Sequence, residues 1–170
     1  MPPVIPGPCD PAELQRFMET NPYRPEAFLI DEIVRLDDEE LRIEARMETT
    51  RYLPISSLQR VDVHHPAHVS GAEILILTGN LGFMHAWFFH GCRWDEKWSG
   101  FGNRIHRADF KNLAQIGPPL QLQSRETRTR AGKNRLVMRC EFQFWQREIL
   151  VYHGDQTAMF FRDRDFSERS

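Results

Sequence analysis

The feature that most constrains the fold is a stretch of about twenty residues, from Ser70 to His90, that is apolar on nearly every face. At about 1.5 Å per residue it would form a helix roughly 30 Å long. A helix that is apolar all round is buried in the middle of a protein. Ser70 is the expected N-cap, and Glu73 completes a capping-box pattern. Gly79 and Gly82 have no side chains, so one face of the helix is expected to be narrow enough for strands to pass close to it.

Segments that alternate between apolar and polar residues lie on both sides of this stretch. Two of them, beginning at Phe28 and Leu41, flank an acidic run at 37–40 and predict a β-hairpin around a solvated turn. Further runs predict a meander of three or four antiparallel strands within 102–113, 119–130, 135–147 and 149–161. A lone helix needs a curved sheet wrapped around it, so the predicted fold class is α+β.

The length of 170 residues fits a single domain. We expect a flexible Pro-rich arm at 1–10, one domain over 11–163 and a C-terminal tail at 164–170. Asp10 and Pro11 predict the cap and first residue of a short helix that reaches Glu19. The first residues lack the basic region of a signal peptide, and we expect no membrane span, so the predicted location is the cytoplasm.

Charge and cysteine usage exclude several function classes. Lys and Arg number 22 against 24 Asp and Glu, which gives a net charge of -2 and no global basic field for nucleic acid. The three cysteines form no CxxC pattern, which argues against a disulfide framework or a cysteine zinc site. His64, His65 and His68 lie close in sequence, but no second cluster of ligands accompanies them, so we predict no metal.

The start of the long helix is a candidate site for carbonyl chemistry. Free N–H groups of Gly71 and Ala72 would stabilise negative charge that develops on a carbonyl oxygen. His68 lies two residues before the cap and can reach this region, where it could move a proton. Glu73 is either a cap acceptor or a group that orients or deprotonates water, with a pKa raised by its apolar surroundings. His85 and His90, later in the helix, are expected to be structural.

Several motifs resemble those of known acyl-thioester enzymes. Phe28-Leu-Ile-Asp, the His-Pro loop, Gly71 at the helix start and the stretch at 107–120 resemble the FabZ and FabA 3-hydroxyacyl-ACP dehydratases over most of the chain. A closer resemblance is to the FcoT type of long-chain fatty acyl thioesterase. Its Gly-His-Phe-Asn-Ala-Val-Glu-Leu-Ile-Leu aligns without gaps with 67–76, and its Pro-Tyr and Leu-Ile-Asp with 22–23 and 29–31. Both families have the hot-dog fold, in which a curved antiparallel sheet wraps one long helix.

The resemblance implies candidate residues but also shows departures. The loop before the helix is two residues shorter than in the dehydratases, and Ile76 stands where their acid would be. His64 is similar to the dehydratase histidine, whereas Tyr23, Tyr52, Ser70 and Asn80 lie at or beside FcoT site positions. The candidate catalytic residues are therefore His68, Glu73, Tyr23 and His64. The candidate oxyanion or substrate-binding residues are Ser70, Gly71, Ala72, Tyr52 and Asn80.

A basic group follows the helix at Arg104, His106, Arg107 and Lys111. Arg104, Arg107 and Lys111 are predicted to contact the phosphopantetheine of the substrate or an acidic acyl carrier protein (ACP). No cofactor is expected apart from the phosphopantetheine or CoA that carries the substrate. A homodimer is expected, because a second copy would cover the sheet edge and the open helix flank.

Three function hypotheses follow. The first is a thioesterase that cleaves fatty or polyketide acyl chains from CoA or ACP. The second is chemistry at the β-carbon: dehydration of a 3-hydroxyacyl thioester, or addition of an amine to an enoyl thioester. The third is a non-catalytic acyl-binding protein.

Overall fold

The long apolar segment forms helix α2, Gly71–His90, as predicted. The structure is a computed structural model that describes residues 7–167. The predicted capping box is present, because Ser70 Oγ accepts from the Glu73 N–H and the Glu73 carboxylate accepts from the Ser70 N–H. Gly91 follows the helix with a φ of 64°, a left-handed conformation that glycine adopts easily at helix ends.

Six strands form one antiparallel sheet against α2. They are β1 Glu32–Asp37, β2 Arg42–Met47, β3 Trp98–Phe110, β4 Leu120–Gly132, β5 Arg135–Gln146 and β6 Ile149–Arg162. The order across the sheet is β1-β2-β4-β5-β6-β3, so β1 and β3 are the edge strands. The predicted hairpin and the α+β class are confirmed, and β4, β5 and β6 form a meander of three strands. The strand predicted within 102–113 begins earlier, at Trp98, and pairs with β6 rather than with β4, its neighbour in sequence.

Alternation along the strands gives the sheet an inner face toward α2 and an outer face away from it. On β5, Leu136, Met138 and Cys140 are buried on the inner face, whereas Val137 and Arg139 between them are only partly covered. The inner face and α2 together bury the main hydrophobic core. The outer face carries mostly charged and amide side chains.

A shorter helix, α1 Pro11–Thr20, packs on the same core. It begins as predicted, because Asp10 Oδ1 accepts from the Ala12 N–H at 3.1 Å. Phe17 of α1 lies edge-on to Trp87 of α2, with 5.5 Å between the ring centroids. Residues 1–6 of the predicted arm and 168–170 of the predicted tail lie outside the described residues.

The predicted close passage of strands over Gly79 and Gly82 is wrong. A Cβ built at either glycine meets no atom within 4 Å. A cavity of about 70 Å³ instead separates this part of α2 from β3, β5 and β6. The side chains of Phe142 and Phe160 are among those that line it.

Helix α2 also has the length and apolar composition of a membrane span. However, 61% of its most apolar window is buried inside the fold. Because a core helix passes the same test of length and composition, the burial assigns α2 to the protein core.

Replacing Gly79 with alanine is expected to stabilise the protein by about 0.5–1 kcal/mol, since alanine favours helix and the new Cβ has open space. Urea unfolding would measure the change. The matched control is Gly91→Ala, which should destabilise because Gly91 has a positive φ. Destabilisation by Gly79→Ala would contradict the open geometry beside α2.

Candidate active site

The first turn of α2 leaves the N–H groups of Gly71 and Ala72 without a hydrogen-bond acceptor among residues 7–167. The N–H of Glu73 is used by Ser70 Oγ at 3.3 Å, and the N–H of Ile74 by the Ser70 carbonyl at 3.1 Å. Ala72 is exposed and Gly71 is partly exposed. These donors, with the helix dipole behind them, can bind a polarised carbonyl oxygen.

Gly71 also stands where a side chain would be crowded. The ring of Phe110, at the end of β3, lies 3.1 Å from where a Cβ on Gly71 would stand. A larger residue would push Phe110 away from the helix start. This contact could not be predicted from the sequence, because it joins residues that are far apart along the chain.

Glu73 fastens the preceding loop to α2. Its Oε1 accepts from the N–H of Ile55 at 2.8 Å and of Ser56 at 3.1 Å. Its Oε2 accepts from the Ser56 hydroxyl and, at 3.0 Å, from the Ser70 hydroxyl. The side chain is fully buried. Its oxygens are therefore occupied by the loop and the cap, which favours a positioning role over direct contact with substrate.

The pKa of Glu73 moves in the opposite direction from the prediction. Burial of the carboxylate would raise its pKa, but hydrogen bonds from the side chain and backbone of Ser56, from the Ile55 N–H and from Ser70 outweigh burial and lower it. The expectation of a raised pKa is wrong, because the loop supplies donors that the sequence did not reveal. A catalytic role for Glu73 stays a prediction.

Glu73→Gln is expected to lower the free energy of unfolding by about 1–3 kcal/mol, because an amide NH₂ would face hydroxyl and N–H donors. Chemical denaturation would measure the loss. Glu39→Gln, in the exposed turn after β1, is the control and should change stability by less than about 0.5 kcal/mol. An unchanged stability for Glu73→Gln would contradict the fastening role.

His68 is held beside the start of α2 by its backbone. Its carbonyl accepts from Gln59 Nε2 at 2.9 Å, and it forms a bridge with Gln115. The ring Nδ1 lies 2.8 Å from the Pro66 carbonyl, which assigns the proton to Nδ1 and leaves Nε2 with a free lone pair. A lone pair in this position can accept a proton from water.

The other loop histidines are more exposed. Asp62 Oδ1 accepts from the N–H groups of His64 and His65 at 2.7 and 2.8 Å and so forms a tight turn. The His65 ring packs against that of His68, with 5.1 Å between centroids. A catalytic role for His64 stays a prediction. Within residues 7–167, no group of three or more His, Cys, Asp or Glu could hold a metal ion.

Asn80 and Tyr23 are not brought to the helix start. Asn80 lies nine residues beyond Gly71, about 14 Å along α2. Its side chain accepts from the Leu29 N–H at 2.9 Å and donates to the Ala27 carbonyl at 3.3 Å, so it anchors the segment before β1. Tyr23 packs edge-on against Phe83, about 18 Å from Gly71 along the helix.

Tyr52 is 73% exposed and lies in the loop that Glu73 fastens. The predicted basic contacts lie on or just after β3. Arg107 and Lys111 both pair with Asp109, at 3.3 and 3.4 Å. Arg104 has no acidic partner within the described residues.

The sequence did not reveal a buried cluster of polar side chains around Glu126. His85 Nδ1 lies 3.0 Å from Glu126 Oε1, and His85 Nε2 lies 2.8 Å from Ser124 Oγ. His90 Nε2 and the Thr129 hydroxyl also bond the Glu126 carboxylate. The order Ser-His-Glu is that of a hydrolase triad, but Ser124 and His85 are fully covered. The cluster is therefore structural, which agrees with the expectation for His85 and His90.

Glu126 and His85 have shifted pKa values for identifiable reasons. Burial would raise the pKa of Glu126, but hydrogen bonds from His85, His90 and Thr129 lower it to about 2. Burial lowers the pKa of His85, although Glu126 opposes the shift.

A wide groove lies away from the helix start. A groove of about 600 Å³ crosses β1, β2, β4 and β5 on the outer face, beside Trp145. It is lined by none of the predicted site residues.

Comparison with solved structures shows the fold. A dehydratase heterocomplex from Xenorhabdus doucetiae matches with a TM-score of 0.62 and 10% identity, over 89% of this chain and 91% of its own. The chain has the hot-dog fold. A thioesterase from Haemophilus influenzae matches with a TM-score of 0.57 and 15% identity, over 90% of this chain and 93% of its own. A hypothetical thioesterase from Streptococcus pneumoniae, solved with coenzyme A, matches with a TM-score of 0.53 and 12% identity. The match covers 79% of this chain and 88% of the Streptococcus protein.

No protein-family model and no curated protein match this hot-dog chain by sequence. At such low identities, the structural likeness defines the fold and does not define the site.

Proposed function

We propose that this hot-dog protein is a cytoplasmic acyl-thioester hydrolase that acts on fatty or polyketide acyl chains carried by CoA or ACP. The observation that carries the proposal is the pair of unoccupied N–H groups, of Gly71 and Ala72, at the start of a 20-residue helix. A thioester carbonyl develops negative charge during hydrolysis, and such donors stabilise it.

In the proposed mechanism, the thioester oxygen lies between the Gly71 and Ala72 N–H groups. His68 Nε2 removes a proton from water while the water oxygen attacks the carbonyl carbon. The tetrahedral intermediate collapses by breaking the C–S bond. The imidazolium of His68 returns the proton to the departing thiolate, which leaves as a free thiol, and the acyl group leaves as a carboxylic acid. Glu73 has no direct contact with the substrate in this mechanism, and its role is to hold the loop at Ile55 and Ser56 against the start of α2.

The fold is consistent with this proposal, since its structural relatives include thioesterases, one of them solved with coenzyme A. Arg104, Arg107 and Lys111 are proposed to meet the phosphopantetheine or the carrier. Arg104 and Arg107 lie on β3, and Lys111 comes directly after its last residue, Phe110. The ring of Phe110 packs against the start of α2.

A homodimer is proposed as the active form. Strand β3 ends the sheet and carries the exposed apolar residues Phe101, Ile105 and Phe110, while Ile76 is exposed on α2. Pairing two β3 edges would satisfy their backbone groups and cover this apolar surface. Analytical ultracentrifugation at micromolar concentration should give the mass of a dimer. A monomer would contradict this arrangement.

The hydrolase proposal is tested by incubating the protein with acyl-CoA and acyl-ACP of several chain lengths. Steady release of free thiol, with matching free acid by mass spectrometry, is the expected result. Binding of acyl chains with no turnover of any thioester would overturn it and favour a non-catalytic acyl-binding protein.

Chemistry at the β-carbon is the second candidate. The N–H groups of Gly71 and Ala72 would also stabilise an enolate oxygen. The lone pair of His68 Nε2 could remove the proton from the carbon next to the carbonyl, so the same groups could support dehydration or amine addition. The dehydratase with this fold adds to that argument. A mass loss of one water, or gain of one amine, with the thioester intact would identify this activity.

A further inference from the structure

Most arginines on the strands have an acidic partner within 4 Å. Those with a partner are Arg35, Arg42, Arg46, Arg107, Arg125, Arg139 and Arg162. Within residues 7–167, Arg104, Arg128, Arg130 and Arg135 have none. The guanidinium of Arg135 lies over the ring of Phe161, 5.8 Å from its centroid. The other three have neither an acid nor an aromatic partner.

These unpaired arginines lie together because of the strand register. Arg128 of β4 stands opposite Arg139 of β5, which stands opposite Thr157 of β6. Thr157 in turn stands opposite Arg104 of β3. Residues paired across neighbouring strands point to the same face. A row of cationic side chains therefore crosses the outer face of the sheet.

A β-bulge on β4 creates this arrangement. Ser124 and Glu126 point inward, and simple alternation would also point Arg128 and Arg130 inward. The register shift between Glu126 and Arg128 reverses the alternation, so that both arginines point outward. Thr129 then reaches the buried Glu126 carboxylate.

The row borders a groove of about 240 Å³ on the outer face. The groove is lined by His106, Arg128, Arg130, Val137, Arg139 and Thr157. His106 Nε2 lies 2.8 Å from Thr157 Oγ, and Asp155 pairs with Arg139 at one side. Asp155 occupies the guanidinium fork of Arg139, so Arg128 and Arg130 are the arginines of this groove that have no acidic partner among residues 7–167.

We propose that this outer-face groove binds a ligand that carries two or more phosphate groups. Guanidinium forks bind phosphate oxygens through paired hydrogen bonds, and the Thr157 hydroxyl adds a neutral partner. Arg128 and Arg130 lie two residues apart on the same face of β4, about 7 Å along the strand, so each guanidinium can bind a different one of two adjacent phosphate groups. The groove lies on the opposite face of the sheet from α2, and Arg128 and Arg130, which line it, have no part in the proposed hydrolysis.

Isothermal titration calorimetry at low salt, with pyrophosphate and ADP as probes, tests the proposal. Saturable binding is expected, weakened at least tenfold by Arg128→Gln and by Arg130→Gln. Arg125→Gln is the matched control, because Arg125 lies on the same strand but pairs with Glu40. No saturable binding of pyrophosphate, or equal weakening by the control, would overturn the proposal. So would arginine-dependent binding of an oligonucleotide without binding of pyrophosphate.

A competition experiment identifies the source of the phosphates. If CoA displaces ADP at lower concentrations than pyrophosphate does, the ligand is the nucleotide part of a CoA molecule. If pyrophosphate displaces ADP as well as CoA does, or better, the ligand is a free diphosphate. Both results support a diphosphate site, and activity on an acyl thioester without phosphate should be unchanged in Arg130→Gln.

Discussion

Glu126→Gln is expected to lower the free energy of unfolding by about 3 kcal/mol at pH 7. The carboxylate is buried and bonded by His85, His90 and Thr129. Its pKa falls from 4.5 to about 2, and a shift of this size corresponds to about 3 kcal/mol of stability. Urea unfolding at neutral pH would measure the loss. Loss of a charged acceptor from a buried network is among the most costly kinds of substitution.

The pH dependence of this effect has a defined sign. Glu126 has a lower pKa in the folded state, so its contribution is complete above pH 4.5 and is lost as the pH falls toward 2. The wild type and Glu126→Gln should therefore become more alike in stability below pH 4.5. His85 also has a lowered pKa, so protonation of the unfolded chain should reduce wild-type stability as the pH falls below 6.5.

Glu141→Gln is the control for Glu126. Glu141 bonds His153 and is only partly buried, so its replacement should cost less than about 1 kcal/mol. A Glu126 variant as stable as this control, or a stability difference that grows below pH 4.5, would contradict the role assigned to the buried cluster.

His68→Ala is expected to reduce kcat for thioester hydrolysis by about a hundredfold, because His68 Nε2 is the proposed acceptor of the proton from water. Its stability should change by less than about 1 kcal/mol, since the backbone contacts with Gln59 and Gln115 remain. Steady-state kinetics and denaturation would measure the two effects separately.

His65→Ala is the matched control, because its ring touches His68 but is more exposed. Its activity should remain close to that of the wild type. If His68→Ala and Glu73→Gln both keep wild-type rates in hydrolysis and dehydration assays, the proposed site is wrong. Tyr23, Tyr52 and Asn80 would then be the next residues to test.

Short-range sequence patterns were sufficient to predict the helices and the strands. Ser70 and Glu73 lie three residues apart, and the bonds of a capping box form within one turn, so the start of α2 could be predicted. Asp10 marked the start of α1 for the same reason. Apolar alternation also predicted the hairpin and the long strands, because it repeats every two residues. One apolar helix beside several strands then limited the fold to a helix wrapped by a sheet.

The candidate site depended on contacts between distant parts of the chain. The pKa of Glu73 could not be predicted, because the Ser56 and Ile55 donors reach it through the fold of a loop. Asn80 was a site candidate by sequence, yet the tertiary structure uses its amide to anchor the segment at Ala27–Leu29.

The sequence by itself determined the helices, their caps, the strands and the α+β class, since these depend on neighbours a few residues apart. Only the tertiary structure decided which polar groups meet: Glu126 with His85, and the outward row that contains Arg128 and Arg139. A single bulge on β4 places Glu126 on the inner face of the sheet and Arg128 on the outer face. A shift of one residue reverses which face a side chain occupies, and periodicity alone does not reveal where that shift occurs.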